Sequence, residues 1–298
     1  MRTTAPRRRA RRTFAGAAVV AVLLGGALAG CGPGGSGGEG DRGARSAPRW
    51  NTAPASVAAV GDSITRGFDA CSVLADCPEV SWATGNDPAV RSLATRLLGE
   101  AQAAARSWNH AVTGSRMADL TGQLAEAAAN KPELVTVMVG SNDACRPTTS
   151  SMTPVAEFRS GFEQALAGLR AASPASQVYV SSVPDLQRLW EQGKDLPMVR
   201  QVWKLGICQS MLADPLSAAS GATARREQVR ARVVEYNEVL REVCAKDPLC
   251  RYDGGAVFQY PFDAQQLSRW DWFHPGRDGQ ARLAELAHRQ VTAADPPR

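Results

Sequence analysis

The sequence lacks most of what a metal centre requires. It has only three histidines in 298 residues, and its seven cysteines include no Cys-x-x-Cys pair. Zinc sites combine such pairs with histidines at short, regular spacing, and no histidine here lies at that spacing from a cysteine. We therefore predict that the protein holds no metal ion.

An excess of positive charge is also lacking once residues 1–30 are set apart. That stretch holds six arginines and no acidic residue, so its removal changes the formal net charge from +5 to −1. Domains that bind nucleic acid carry a patch or stripe of Lys and Arg. The remaining chain has no such excess, and we predict no nucleic-acid partner.

The apolar run at residues 15–29 is too short to cross a membrane. It has about 15 residues, whereas a spanning helix requires about 20. A basic segment precedes the run and small residues end it, which is typical of a secretory signal peptide. We predict a signal peptide over residues 1–30, with export by the general or the twin-arginine route left open.

The end of this segment, Leu28-Ala29-Gly30-Cys31, resembles the lipobox of bacterial lipoproteins. The resemblance implies that Cys31 is lipidated and becomes the mature N-terminus. The protein would then be anchored to the outer face of the membrane through Cys31 alone. The alternative is an ordinary cleavage site and full secretion.

Residues 31–50 are rich in Gly, Ser and Pro, which predicts a flexible tether. Within them, Ser36 sits in a stretch that satisfies the pattern G-x-S-x-G of a nucleophile elbow. That elbow requires a strand before the serine and a helix after it. A glycine tract supplies neither, so we exclude Ser36 as a nucleophile.

Six cysteines remain beyond Cys31, and an even number in an exported protein indicates a disulfide framework. Six cysteines allow 15 pairings. The short spacings favour Cys71–Cys77 and Cys244–Cys250 as local pairs, which leaves Cys145–Cys208 as a long-range bridge.

Strand-like and helix-like segments alternate over residues 51–298, which we interpret as one domain. This alternation predicts a mainly parallel sheet with helices on both faces, a three-layer α/β/α sandwich of the flavodoxin-like type. Residues 186–223 fit the alternation poorly and are predicted to form a helical insertion that could cap the site. The predicted strands are 56–60, 108–112, 134–139 and 178–183, and the predicted helices are 116–129, 155–171, 227–243 and 278–291, with one more that begins at Asp87-Pro88.

Polar residues suited to acyl chemistry follow the predicted strands, where ligands bind in parallel sheets. A serine with a neighbouring base, a carboxylate to orient that base and donors for an oxyanion are the parts that such chemistry requires. Four short blocks supply them: Gly61-Asp62-Ser63, Asn109 to Gly114, Gly140-Ser141-Asn142-Asp143 and Asp271-Trp272-Phe273-His274-Pro275.

These four blocks, in this order, resemble the SGNH (GDSL) hydrolase family over nearly the whole domain. The resemblance implies that Ser63 is the nucleophile of a triad with His274 and Asp271. It also implies that the oxyanion is met by the backbone of Ser63, by Gly114 and by the Asn142 amide. Two departures from the family pattern are visible: Ile64 replaces a leucine, and Ala111 replaces a glycine that is common there, which makes Gly114 the less secure donor.

The plainer interpretations of these residues are structural. Ser63 could cap a helix, Asn142 and Asp143 could form a turn, and the Asp143 carboxylate is expected to be structural. His110 and His288 are poorer candidates for the base than His274, because they fall inside a predicted strand and a predicted helix.

The resemblance implies an ester hydrolase that uses no cofactor and acts on lipid, short-chain or carbohydrate esters. The disulfides and the Ala/Arg-rich composition resemble secreted actinobacterial lipase-like or esterase-like members. Two alternatives stay open: an acyltransferase with the same residues, and a surface-binding module of this fold without catalysis. We expect a monomer.

Overall fold

The computed structural model describes residues 49–295, which contain a five-stranded, wholly parallel sheet. The strands run in the order β2-β1-β3-β4-β5. They are β1 (Val57–Gly61), β2 (Ser107–Asn109), β3 (Leu134–Met138), β4 (Gln177–Val180) and β5 (Cys250–Tyr252).

The chain order of the sheet reverses between β1 and β3, since β2 lies on one side of β1 and all later strands lie on the other. In doubly wound sheets of this order the loops at such a switch point diverge and leave a crevice at the carboxyl ends of the strands. The loops after β1 and β3 carry Ser63 and Asn142 to that crevice.

Helices connect the strands and cover the sheet. They are α1 (Ser63–Arg66), α2 (Leu93–Leu98), α3 (Glu100–Arg106), α4 (Leu120–Ala129), α5 (Ser141–Ala144), α6 (Val155–Ala172), α7 (Leu186–Gly193), α8 (Pro197–Trp203), α9 (Gln209–Leu212), α10 (Ser220–Cys244), α11 (Ala256–Gln259) and α12 (Arg277–Thr292). Single turns of 3-10 helix occupy Pro78–Val80, Met117–Asp119 and Thr149–Ser151.

The helices form two layers. α6 packs between α4 and α10, and α4 also packs on β1, while α2 packs on α12. Right-handed crossovers place the connections on either side of the switch point on opposite faces of the sheet. Every residue of β1, β3 and β4 is buried, as expected for strands covered on both faces. The predicted three-layer α/β/α fold is therefore confirmed.

The first predicted helix was placed too early. Asp87 begins a turn, because its carboxylate accepts the Ala89 N–H at 2.8 Å, and Arg91 then adopts a left-handed φ of +48°. Helical geometry begins only at α2, where the Ser92 hydroxyl caps the Thr95 N–H at 3.2 Å.

Residues 186–212 fold as three short helices, α7, α8 and α9. The predicted insertion to residue 223 overlaps α10, which begins at Ser220, seven residues before the predicted start of that helix at Glu227. The last part of the predicted insertion, residues 220–223, therefore belongs to α10. Whether it closes over the site stays a prediction.

Three disulfides join the cysteine pairs that the spacing favours. Cys71–Cys77 and Cys244–Cys250 close short loops, and Cys145–Cys208 joins α5 to α9 with its Cα atoms 4.4 Å apart. Among residues 49–295, no helix has the length and apolarity needed to cross a membrane. The predicted signal peptide and nearly all of the tether, with Cys31 and Ser36, lie outside the described residues.

Candidate active site

Ser63 is presented by a tight turn between β1 and α1. Gly61 has a φ of +142°, and a Cβ on it would lie 2.1 Å from the Met138 carbonyl oxygen, so only glycine fits. Asp62, rather than Ser63, caps α1, because its Oδ1 accepts the Ile64 N–H at 3.0 Å. The interpretation of Ser63 as a helix cap is therefore wrong, and its hydroxyl is free for another partner.

That partner is His274. Ser63 Oγ lies 2.8 Å from His274 Nε2, and His274 Nδ1 lies 2.5 Å from Asp271 Oδ2. An ionised carboxylate only accepts hydrogen bonds, so Nδ1 carries the hydrogen and Nε2 accepts from the Ser63 hydroxyl. The fold thus joins the three residues of the predicted triad in one chain of hydrogen bonds.

The turn at residues 271–274 fixes the carboxylate. Asp271 Oδ1 accepts the N–H groups of Phe273 at 2.9 Å and His274 at 3.0 Å, and Trp272 between them has a left-handed φ of +49°. The indole of Trp203, at the end of α8, donates to the Asp271 carbonyl at 2.9 Å. Trp203 belongs to the predicted insertion, and nothing in the sequence indicated that it would contact Asp271.

The electrostatics favour the ion pair that a base mechanism requires. Burial alone would lower the pKa of His274, but the charge and hydrogen bond of Asp271, with the charges of Asp62 and Asp69, raise it. Burial would raise the pKa of Asp271, yet His274 and two backbone N–H groups lower it. The site therefore stabilises an imidazolium beside a carboxylate.

Asn142 lies in α5, directly after β3, and lines the same cavity as Ser63 and His274. Its amide donates one hydrogen bond to the Ser115 carbonyl at 3.0 Å. Because an amide nitrogen has two hydrogens, the second remains for an oxyanion. The bond also ties the loop after β3 to the loop after β2.

Gly114 lies in that second loop with a φ of +85°. Within residues 49–295, neither its N–H nor that of Ser63 has an acceptor. Gly114 is not among the residues that line the cavity, however, whereas Asn142 is. Its role as a donor stays a prediction.

Buried polar side chains that the sequence analysis did not single out hold these loops. The Gln123 amide of α4 accepts the Gly61 N–H at 2.7 Å and donates to the Gly61 carbonyl at 3.0 Å. Asp143 accepts the Met117 N–H at 2.9 Å and the Thr153 hydroxyl at 2.7 Å, in agreement with its expected structural role. Gln123 lies on the buried face of α4, a helix that the sequence predicted. A glutamine on the apolar face of that helix was the sign in the sequence that its amide has a buried partner.

A cavity of about 260 Å³ opens beside Ser63, His274 and Asn142. Its remaining wall is mostly apolar and is contributed by the core and by residues 184–208. The apolar side chains include Met138, Leu186, Leu189, Ile207, Phe262 and Leu283, together with the Cys145–Cys208 disulfide. A space of this kind suits an apolar group next to the serine hydroxyl.

Two groups of residues in the described part of the chain bring metal-ligand atoms together. Cys71, Cys77 and Glu79 form one, but its two cysteines are joined in a disulfide. Asp69, Asp271 and His274 form the other, where both ring nitrogens of His274 already have hydrogen-bond partners. Neither group offers a free set of ligands, and the absence of a metal stays a prediction.

Neither of the two other histidines lines the cavity beside Ser63. His110 Nε2 lies 2.8 Å from Asn130 Oδ1, and His288 is part of α12. His110 follows β2, which ends at Asn109 instead of continuing to residue 112 as predicted.

A serine, a histidine and a carboxylate joined in this way at the switch point of a doubly wound sheet define an α/β protein with a candidate nucleophilic site. The sequence profile of the GDSL-like lipase/acylhydrolase family matches residues 59–282, and the chain belongs to this family. The resemblance drawn from the four sequence blocks is thereby confirmed.

Similar solved structures include phospholipase A1 from Streptomyces albidoflavus NA297, 18% identical over 81% of this chain and 100% of that chain, with a TM-score of 0.48. They also include an extracellular lipase from Streptomyces rimosus, 18% identical over 80% of this chain and 99% of that chain, with a TM-score of 0.46. No curated protein matches the chain.

Proposed function

We propose that the protein is an exported serine ester hydrolase that cleaves carboxylic esters through an acyl-enzyme. The observation that carries this proposal is the chain of hydrogen bonds from Ser63 through His274 to Asp271. Ser63 and His274 line a mostly apolar cavity. A nucleophile that touches its base, with the base held by a carboxylate, is the arrangement that acyl transfer requires.

In the first half-reaction Ser63 Oγ attacks the ester carbonyl while His274 Nε2 takes its proton. The raised pKa of His274 favours this transfer, and Asp271 stabilises the imidazolium that forms. The tetrahedral oxyanion is met by the free hydrogen of the Asn142 amide and by the N–H groups of Ser63 and Gly114. His274 then gives the proton to the leaving alcohol, and the acyl group stays on Ser63.

In the second half-reaction a water molecule gives a proton to His274 while its oxygen attacks the acyl carbonyl. His274 then returns that proton to Ser63 Oγ as the bond between Ser63 and the acyl group breaks, which releases the acid. Ser63, His274, the ester and water account for every bond formed or broken, so the reaction as proposed uses no cofactor. The apolar wall of the cavity favours an acyl chain over a sugar as the group beside the serine.

Hydrolysis of p-nitrophenyl esters from acetate to palmitate tests this function. We expect the protein to release p-nitrophenol and Ser63→Ala to lose at least about three orders of magnitude in kcat. Ser160→Ala, which changes an exposed serine of α6 that does not line the cavity, is the matched control and should retain the activity. Equal rates for wild type and Ser63→Ala would contradict the assignment of the nucleophile.

A serine-directed fluorophosphonate separates catalysis from mere binding. Labelling of the wild type but not of Ser63→Ala is expected, and a protein that neither labels nor hydrolyses would be a binding module. An acyltransferase would label too, but its product with an added alcohol would be a new ester rather than the free acid.

Export and anchoring form part of the proposal. They rest on the basic and apolar segments of residues 1–30 and on the lipobox-like sequence that ends at Cys31. The expected monomer stays a prediction.

A further inference from the structure

Asp69 lies beside the pair of Asp271 and His274, and the mechanism above gives it no part. A carboxylate oxygen of Asp69, one of Asp271 and a ring nitrogen of His274 all lie within 4.8 Å of one another. Asp69 is only 3% exposed. Two carboxyl groups buried side by side repel each other when both are ionised, so the surrounding structure must hold them together.

The loop after α1 does so. The N–H of Asp69 donates to the Ala75 carbonyl at 3.0 Å, and its own carbonyl accepts the Ser268 hydroxyl at 2.7 Å. Its carboxylate also accepts the Leu74 N–H. The Cys71–Cys77 disulfide closes this loop.

The backbone of Asp69 adds to this picture. Its φ of +57° is left-handed, a region that few residues other than glycine adopt. Such a conformation persists where the surrounding contacts enforce it, and it is concentrated at functional sites. Here it turns the carboxyl toward the catalytic pair.

The ionisable groups that face His274 are three carboxyls from three segments: Asp271 on its own loop, Asp62 at the end of β1, and Asp69. Those that face Asp69 are Asp271 and His274. Burial, followed by the charge of Asp271, raises the pKa of Asp69 to about 6. Near neutral pH the ionised Asp69 therefore adds negative charge beside the imidazole.

We propose that Asp69 is a positioning residue whose buried carboxylate, fixed beside the ring by its loop, increases the basicity of His274. The proposal rests on the proposed function, since it concerns the base of that same site. Asp69 does not line the cavity, so its effect should fall on the proton transfer and spare substrate binding.

Asp69→Asn tests the proposal, because the amide keeps the size of the side chain and an acceptor for the Leu74 N–H while removing the charge. We expect the pKa of His274, followed by NMR of its ring, to fall by about 0.5–1 unit. The acidic limb of the pH profile of kcat/KM should move in the same direction. At pH 8 we expect kcat to fall about 3- to 10-fold with KM unchanged.

Two further variants distinguish charge from structure. Glu79→Gln removes an exposed carboxylate just after the same loop and should leave the pKa of His274 and the pH profile as in the wild type. Asp69→Glu retains the charge but fits less well, so it should stay closer to the wild-type pKa than Asp69→Asn does.

An unchanged pKa of His274 in Asp69→Asn would overturn the proposal, as would a larger shift in Asp69→Glu. The NMR titration needs no substrate. If the wild type hydrolyses no ester, the proposed function fails while the titration still decides the role of Asp69.

Discussion

Around a single base, this site buries three carboxyl groups in three different states. Asp271 has a lowered pKa because His274 and backbone N–H groups stabilise its charge, despite its burial. Burial raises the pKa of Asp69 to about 6 and that of Asp62 to about 7. Position alone, not residue type, therefore decides which carboxyl is the permanent anion of the site.

The raised pKa of Asp62 can be tested through the pH dependence of the free energy of unfolding. It is fully buried, and its Oδ2 has no hydrogen-bond partner among residues 49–295. Its pKa is about 7 in the folded protein against an ordinary value of 3.8. Between these values the unfolded chain has lost the proton that the folded protein keeps, so this group destabilises the fold increasingly as pH rises from about 4 to 7.

We expect Asp62→Asn to remove that pH dependence, since the amide keeps an acceptor for the Ile64 N–H and never ionises. The free energy of unfolding of the variant, relative to wild type, should increase by about 4 kcal/mol between pH 4 and pH 8. Urea unfolding at both pH values measures it. Asp195→Asn, an exposed carboxylate paired with Lys194, is the control, and curves for Asp62→Asn that ran parallel to wild type would contradict the prediction.

The residues to which we assign the chemistry could be predicted from the sequence better than those that support them. Ser63, Asn142, Asp271 and His274 lie in short blocks, each at the end of a strand or just before a helix, so local pattern is enough to find them. Asp69 has no such pattern. Its contact with Asp271 joins two distant loops and exists only once the chain has folded.

At the scale of elements, the sequence predicts four of the five strands and misses β5 at one edge of the sheet. β1, β3 and β4 are apolar runs, whereas β5 has three residues with Arg251 at its centre. The Arg251 guanidinium is buried because it donates to the carbonyls of Gln290 and Ala293 and lies over the Trp50 ring. A cation in a short segment argues against a strand until those distant partners are known.

The disulfide between α5 and α9 joins the element that carries Asn142 to the wall of the cavity. Its cysteines are 63 positions apart, so on the chain-entropy view the bond contributes about 4 kcal/mol of stability. We expect the double variant Cys145→Ala/Cys208→Ala to lose about that amount in urea unfolding. Its activity should fall most on long-chain esters, because the loosened wall no longer packs on the acyl chain.

Cys244→Ala/Cys250→Ala is the matched control for this pair. Its cysteines are 6 positions apart and lie outside the cavity, so we expect a loss of about 2 kcal/mol and an unchanged chain-length profile. Equal effects of the two double variants on both stability and profile would argue against a special role for Cys145–Cys208.

At the scale of the whole molecule, the order of the strands explains why one crevice collects the site. Ser63 and Asn142 follow the two strands that flank the switch point, and the chain returns after α11 to bring Asp271 and His274 to the same edge. Residues 184–208 then add the apolar wall. Loops at one edge of the sheet thus supply the polar groups, and the segment between β4 and α10 supplies part of the apolar surface that would face the substrate of the proposed reaction.

We predict that Cys31, which lies outside the described residues, decides where in the cell the protein is held. If the lipobox-like sequence acts as we propose, the full-length protein expressed in a bacterium should partition into the detergent phase of a Triton X-114 separation. Cys31→Ala should move it to the aqueous phase. Ser36→Ala, a change five residues further along the tether, should leave both the partitioning and the esterase activity unchanged. Identical partitioning of Cys31→Ala and wild type would favour simple secretion over a lipid anchor.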